Sequence, residues 1–210
     1  MKKKQTPVGA LAAVSGLVMD IHAVEHYDNW SSGYDRDLLD NYGYRGHLQA
    51  AEKFATATDD KSAKIMDFGC GTGLVGDKLK DLGFSDIDGA DFSQGMLEVA
   101  KSRGCYQQLF PVDLTCREVL PCSHYDGAIC AGLFGAGHLG AEHIPNLLEP
   151  LKRNSLIVIM LNEVPYLHGD YDEKFEQLSS DGIWRIGSND RVNYMDELVR
   201  PGRLITAWKL

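Results

Sequence analysis

The sequence predicts an α/β protein built on a doubly wound, seven-stranded sheet that is mostly parallel and ends in an antiparallel strand pair. Three observations predict it. From residue 64 onward, short apolar runs of strand length alternate with longer amphipathic segments, which is the rhythm of βαβ units. The first run ends in a turn with glycine at three alternate positions, Gly69, Gly71 and Gly73, where a buried strand must bend sharply into a helix. After residue 161 the rhythm changes, and two long strand-like segments joined through Pro201 and Gly202 close the chain.

In chain order, residues 1–19 form an arm in which Lys2, Lys3 and Lys4 precede an apolar stretch from Val8 to Met19. The stretch imitates a secretory signal. However, Gly9, Ser15 and Gly16 dilute it, and the small-residue site near Ala23 is ill-formed, so it is read as a cytosolic arm, loosely ordered or helical. Residues 20–210 are expected to form one domain, with a helical lid over 20–55 and the core over 63–210. In the lid, Leu38, Leu39 and Tyr42, then Leu48, Ala51 and Phe54, recur at helical intervals. The expected strands are 64–68, 86–90, 107–111, 125–130 and 155–161, with helices at 74–82, 95–102 and 143–151 wound between them by right-handed crossovers. A helix around 173–178 and strands at 183–195 and 204–209 complete the set. Residues 114–121 carry no clear pattern.

Composition narrows the function classes. With 210 residues, 44% hydrophobic and 24% charged, the chain is neither disordered nor a disulfide-stapled miniprotein. Lys and Arg number 21 against 30 Asp and Glu, a net charge of -9, which repels phosphate backbones and argues against a general nucleic-acid binder. The five cysteines are an odd number with no CxxC pair, which fits free thiols in a reducing, cytoplasmic setting. Cys116 and Cys122 are close in sequence, but that proximity does not set disulfide geometry. His124, His143 and His168 lack ligand spacing, and no metal is expected. No segment reaches membrane-spanning length.

The strongest local signal is Asp67-Phe68-Gly69-Cys70-Gly71-Thr72-Gly73. Alternate glycines let backbone approach a ligand and aim amides at it from a helix N-terminus, so a nucleotide-like cofactor is the natural occupant. Two cofactors compete. Gly71 to Gly76 reads GxGxxG and Asp91 falls twenty residues after Gly71, where a dinucleotide fold places its ribose acid. Asp67 ahead of the first glycine instead favours a cofactor that carries an ammonium group. Asp91 sits at a strand's carboxyl end and its two oxygens suit a vicinal diol; helix capping, the competing role, is one Ser93 can fill. Asp113 follows a strand and can equally be a turn residue.

At these residues the chain resembles the class I S-adenosylmethionine-dependent methyltransferases, over most of its length from Tyr27 onward. Asp67 to Gly73 is similar to the family's first motif, whose loop cradles the methionine and ribose parts. Gly89-Ala90-Asp91-Phe92-Ser93 followed by Met96-Leu97-Glu98 resembles the second strand and its helix, which implies Asp91 on the ribose hydroxyls and Phe92 on the adenine. Asp113-Leu114 resembles the pair that receives the adenine amino group. Tyr125 to Gly132 resembles the fourth motif, whose end, Ala131-Gly132, lines the methyl-transfer face. Tyr27-Asp28-Asn29-Trp30-Ser31-Ser32-Gly33-Tyr34-Asp35 is similar to a YDxWAxxYD lid segment whose second tyrosine approaches the methionine end.

The resemblance therefore implies a Rossmann-like core, S-adenosyl-L-methionine as cofactor, and binding residues Tyr34, Asp67, Gly69, Cys70, Gly71, Gly73, Asp91, Phe92, Met96, Asp113, Leu114, Ala131 and Gly132. Trp30, His138 and Glu163 are the candidates for the acceptor pocket, and no residue is assigned a catalytic role. Arg185, Arg191, Arg200 and Arg203 read as a solvated cluster rather than an anion site. Ala131-Gly132-Leu133-Phe134 stands where nucleic-acid base methylators carry Asn-Pro-Pro-aromatic, so a small-molecule acceptor is expected rather than DNA. The alternatives are a catalytically silent cofactor-binding protein and an NAD-linked oxidoreductase, for which the chain after Leu161 offers little room.

Overall fold

The computed structural model describes residues 21–117, 120–135, 139–197 and 200–210, so the arm at 1–19 and His138 lie outside the described residues. Helix α1 (Ile21–Arg36) runs into a π-helical turn (Asp37–Asn41), and α2 (Gly46–Ala57) follows a bend at Gly43, whose φ is 62°. The core then alternates β1 (Ile65–Phe68), α3 (Leu74–Asp81), β2 (Ile87–Asp91), α4 (Gln94–Arg103), β3 (Gln108–Pro111) and β4 (Tyr125–Ala131). A 3-10 turn (Ala141–His143), α5 (Ile144–Leu148), β5 (Leu151–Asn162), α6 (Glu163–His168), α7 (Tyr171–Ser180), β6 (Trp184–Met195) and β7 (Arg200–Lys209) complete it.

The seven strands form one sheet in the order β3-β2-β1-β4-β5-β7-β6. The first five are parallel, and β7 pairs antiparallel with both β5 and β6. Strands covered on both faces need apolar residues at every position, which is why Leu156 to Leu161 is an unbroken hydrophobic run. Its side chains alternate between two cores. Ile157, Ile159 and Leu161 join Phe68, Ile144, Phe175 and Trp184 beneath α5 and α7, whereas Val158 and Met160 join Trp30, Phe54, Leu79 and Ile129 beneath the lid and α2.

Helix α2 seats on β4 because Gly127 leaves room for a ring: a Cβ there would lie 2.6 Å from Phe54, which is 1% exposed and meets Phe84 edge-on at 5.6 Å. Phe54→Ala should therefore cost about 3–5 kcal/mol of stability, read from the midpoint of urea denaturation. An unchanged midpoint would contradict this packing.

Four boundaries differ from the sequence expectation. The helix expected over 143–151 ends at Leu148, because Pro150 has no N–H to extend it and the chain enters β5 at Leu151. Between the pairs Tyr125–Leu151 and Gly127–Leu156 the ladder shifts register, with Asn154 at a left-handed φ of 65°, so β5 begins before its apolar run. Pro201 and Gly202 lie inside β7 rather than in a connecting turn. There Pro201 pairs with Asn193 of β6 alone, since pairing with β5 stops at Gly202, and a missing donor is tolerated at such a strand end. Finally, the polar stretch after β5 folds as an additional helix, α6, whose first turn is capped by Asn162 Oδ1 accepting the Val164 amide at 2.9 Å and carries Pro165.

Candidate functional site

The glycine-rich turn leaves the carboxyl end of β1 and is stitched to β2: the amides of Gly69 and Cys70 both donate to the Ala90 carbonyl, at 2.7 and 3.0 Å. Its three glycines do different work. A Cβ on Gly69 (φ 67°) would lie 2.8 Å from Leu133, and one on Gly73 (φ 93°) 2.9 Å from Arg103, so these two permit close packing within the protein. A Cβ on Gly71 (φ 52°) would meet no protein atom within 4 Å. Gly71 is thus where backbone alone borders an open cradle. The Cys70 side chain is buried against Gly89 of β2, which leaves only its backbone toward the cradle.

Two buried carboxylates flank the turn. Asp67, in β1, accepts the Tyr106 hydroxyl on Oδ2 at 2.7 Å, while its Oδ1 is buried with no hydrogen-bond partner. Asp91, the last residue of β2, accepts the Gly71 amide on Oδ2 and the Ser93 amide on Oδ1, both at 2.9 Å. Each carboxylate oxygen has a further lone pair for a ligand. Ser93 Oγ accepts the Met96 amide at 3.1 Å and so caps α4, leaving Asp91 free of that duty.

Burial raises both carboxyls, Asp67 to about 7 with the Asp91 charge adding to the rise, and Asp91 to about 6 against the pull of its backbone amides. A carboxyl whose folded pKa exceeds its unfolded value binds more protons in the folded state, so stability falls as pH rises from about 4 to about 7. Asp67→Asn, which keeps the shape and removes the titration, should flatten that fall in denaturation free energies measured at pH 5 and pH 7.5. An unaltered slope would contradict the assignment.

The lid is latched beside this turn by two acids seven residues apart, hence on one face of α1. Asp28 Oδ1 accepts Ser93 Oγ at 2.5 Å and the Gly95 amide at 2.9 Å. Asp35 accepts Thr72 Oγ1 at 2.5 Å and pairs with Arg103, which also pairs with Asp77 and donates Nε to the Thr72 carbonyl at 2.5 Å. Tyr27 stacks on Trp30 at 6.2 Å and meets the edge of Phe92 at 5.7 Å; Tyr34 meets Trp30 at 4.7 Å. Trp30 donates its indole N–H to Asp37 at 2.8 Å, so its polar end is committed to the lid itself.

The remaining candidates divide. Ala131 and Gly132 stand at the carboxyl end of β4, beside the turn, with Gly132 at φ 82°. Met96 and Leu114 are buried core residues. Asp113 Oδ1 accepts the Thr115 amide at 2.9 Å and its hydroxyl at 2.7 Å, the geometry of a turn closed by its own side chain. Glu163 is drawn away from an acceptor role: its carboxylate holds Arg191 at 2.8 Å and Arg203 at 3.1 Å, tying α6 to β6 and β7. Arg191 stays largely exposed while pairing with this acid, whereas Arg203 is mostly covered. Arg203 also lies over Tyr166 and Arg185 over Trp208, at 5.0 and 4.6 Å.

Sequence reading passed over Tyr106, Arg103, Asp28 and Asp35. The two acids stood in the segment already singled out for its aromatics, and their spacing of seven was the available signal. Tyr106 had none in sequence, since its place is set by three glycines: a Cβ on Gly76 would lie 2.4 Å from its ring, and one on Gly73 or Gly89 3.1 Å. The last glycine of the GxGxxG pattern is thus used for internal packing. Among the described residues no group of three or more His, Cys, Asp or Glu could hold a metal, and all five thiols are free. A cleft of about 530 Å³ opens beyond the carboxyl ends of β4 and β5, between Gly135, Gly140 and Glu142 on one side and His168, Tyr171 and Lys174 on the other.

Residues 65–154 match the family described as a methyltransferase domain. The human protein called methyltransferase-like protein 27 is 34% identical over 144 residues, a stretch that spans 67% of this chain and 57% of that relative. Among solved structures, the magnesium protoporphyrin IX methyltransferase of Synechocystis PCC 6803 with bound SAH superposes with a TM-score of 0.64 at 16% identity, covering 90% of this chain and 98% of that one. The Haloferax volcanii methyltransferase in complex with its Trm112 activator gives 0.64 at 14% identity, with coverage of 87% and 96%. The [4+2]-cyclase SpnF gives 0.68 at 16% identity, with coverage of 92% and 98%. At these identities the structural likeness establishes the Rossmann-like fold alone, and a cyclase among the neighbours illustrates that the fold does not settle the reaction.

Proposed function

We propose that the protein is an S-adenosylmethionine-dependent methyltransferase acting on a small-molecule acceptor. The carrying observation is a pair of buried carboxylates on adjacent strands, Asp67 and Asp91, flanking a glycine turn that is open at Gly71, with one Asp67 oxygen unpartnered. The methyltransferase-domain match and the human relative support the same reading. Asp91 has spare lone pairs for vicinal ribose hydroxyls, and Asp67 Oδ1 suits an ammonium group. Phe92 offers a face to the adenine, and Asp113 with Leu114 lies at the end of β3, the adenine side.

S-adenosylmethionine, when bound, supplies an electrophilic methyl on a sulfonium leaving group. What remains for the chain is alignment and a dry pocket. Tyr27, Trp30 and Tyr34, held down by the Asp28 and Asp35 latches, exclude water and offer π faces to a cation. The cleft beyond β4 and β5 has a volume suited to a small molecule, and the net charge of -9 disfavours nucleic acid. Within the family we place the chain beside the methyltransferase-like protein of the Williams-Beuren chromosomal region, on the YDxW segment, the GTGLV turn and the GMLE helix start. Five free thiols support a cytoplasmic location. Among the described residues no helix is long and apolar enough to cross a membrane.

The test is to incubate the protein with methyl-labelled S-adenosylmethionine and a cell extract split by size. Label should enter the low-mass fraction. Label confined to protein or nucleic acid would contradict the acceptor class.

A further inference from the structure

We infer that the hydroxyls of Tyr44 and Tyr194 form the polar wall facing the transferred methyl group and hold it for in-line attack, an inference that rests on the methyltransferase reading above. The two residues come from distant parts of the chain, Tyr44 from the bend before α2 and Tyr194 from the end of β6. Local structure brings them together: Tyr44 bridges Met195, and the Arg45 amide donates to the Tyr194 carbonyl at 3.0 Å. Their rings meet edge-to-face at 5.2 Å, and their hydroxyls share a hydrogen bond. Both side chains are buried, yet the hydroxyls reach the one position where β4 ends in bare backbone. A Cβ on Gly132 would lie 3.4 Å from the Tyr194 hydroxyl and 3.6 Å from that of Tyr44.

Gly132 is where the far end of the cofactor must lie. In the sheet β1 has β2 on one side and β4 on the other. With the ribose on Asp91 at the end of β2 and the adenine toward β3, the remainder runs across the glycine turn of β1 and arrives at β4. Tyr34 of the lid packs on the same side of the sheet as this pair, its ring 4.7 Å from Trp30 and 6.4 Å from Tyr27. Burial pushes the phenols of Tyr34 and Tyr44 above their ordinary value, which keeps them uncharged. Neutral oxygens fit a sulfonium-bound methyl, whose polarised C–H groups take weak C–H···O contacts without the ion pairing a carboxylate would impose.

Such contacts distinguish the cofactor from its demethylated product. In calorimetric titrations Tyr44→Phe and Tyr194→Phe should each raise the Kd for S-adenosylmethionine about two- to fivefold, while the Kd for S-adenosylhomocysteine does not change. S-adenosylhomocysteine binding thereby serves as the folding control. With ¹³C-methyl S-adenosylmethionine, the bound methyl proton resonance should also move upfield in both variants. Equal changes for the two ligands, or no change, would overturn the inference while leaving the methyltransferase reading intact. Failure of the unaltered protein to bind either ligand would overturn both.

Discussion

Asp91→Ala is expected to weaken binding of S-adenosylmethionine and S-adenosylhomocysteine at least a hundredfold, the largest effect of any substitution considered. Two hydrogen bonds to a charged carboxylate contribute about 1.5–3 kcal/mol each, and every 1.4 kcal/mol is a factor of ten. The same change also strands the amides of Gly71 and Ser93, which Asp91 now satisfies. The variant should therefore lose about 1–3 kcal/mol of stability besides. Isothermal titration run beside chemical denaturation separates the two losses. Affinity that falls no further than stability would sink the assignment of Asp91 to the ribose.

Gly71→Ala should likewise lose binding while the protein still folds. Its left-handed φ of 52° costs a β-carbon about 1–2 kcal/mol, but no protein atom stands within 4 Å to clash with it. The added methyl projects into the cradle instead, so binding should drop tenfold or more in a protein that still folds cooperatively. Gly76→Ala, which drives a β-carbon to 2.4 Å from the Tyr106 ring, should lose stability first. Wild-type affinity in Gly71→Ala would mean that the ligand does not approach this turn.

Periodicity and glycine placement made most of the core legible in the sequence, because both record local constraints. The seven strands, the helices between β1 and β3 and the antiparallel ending all follow from alternation and turn chemistry. What escaped was set by tertiary pairing. Residues 151–154 read as helix end and loop, yet they join β5 through the Tyr125–Leu151 pair and a register shift. Pro201 read as a turn because its effect depends on having a single strand neighbour there, which no local pattern reveals.

The candidate site divides in the same way. Asp67, Gly71 and Asp91 were visible because a tight strand-to-helix turn restricts residue type at fixed spacing. Glu163 looked like an available acid only while Arg191 and Arg203, 28 and 40 residues away in the chain, were out of view. The Tyr44–Tyr194 pair spans 150 residues and carries no sequence signature.

The most direct measurement is a calorimetric titration of the purified protein with S-adenosylmethionine, S-adenosylhomocysteine and NAD. The expected result is saturable binding of the first two and none of NAD. Binding of NAD alone, or no heat with either adenosyl ligand, would contradict a cofactor site built from Asp67, Gly71 and Asp91.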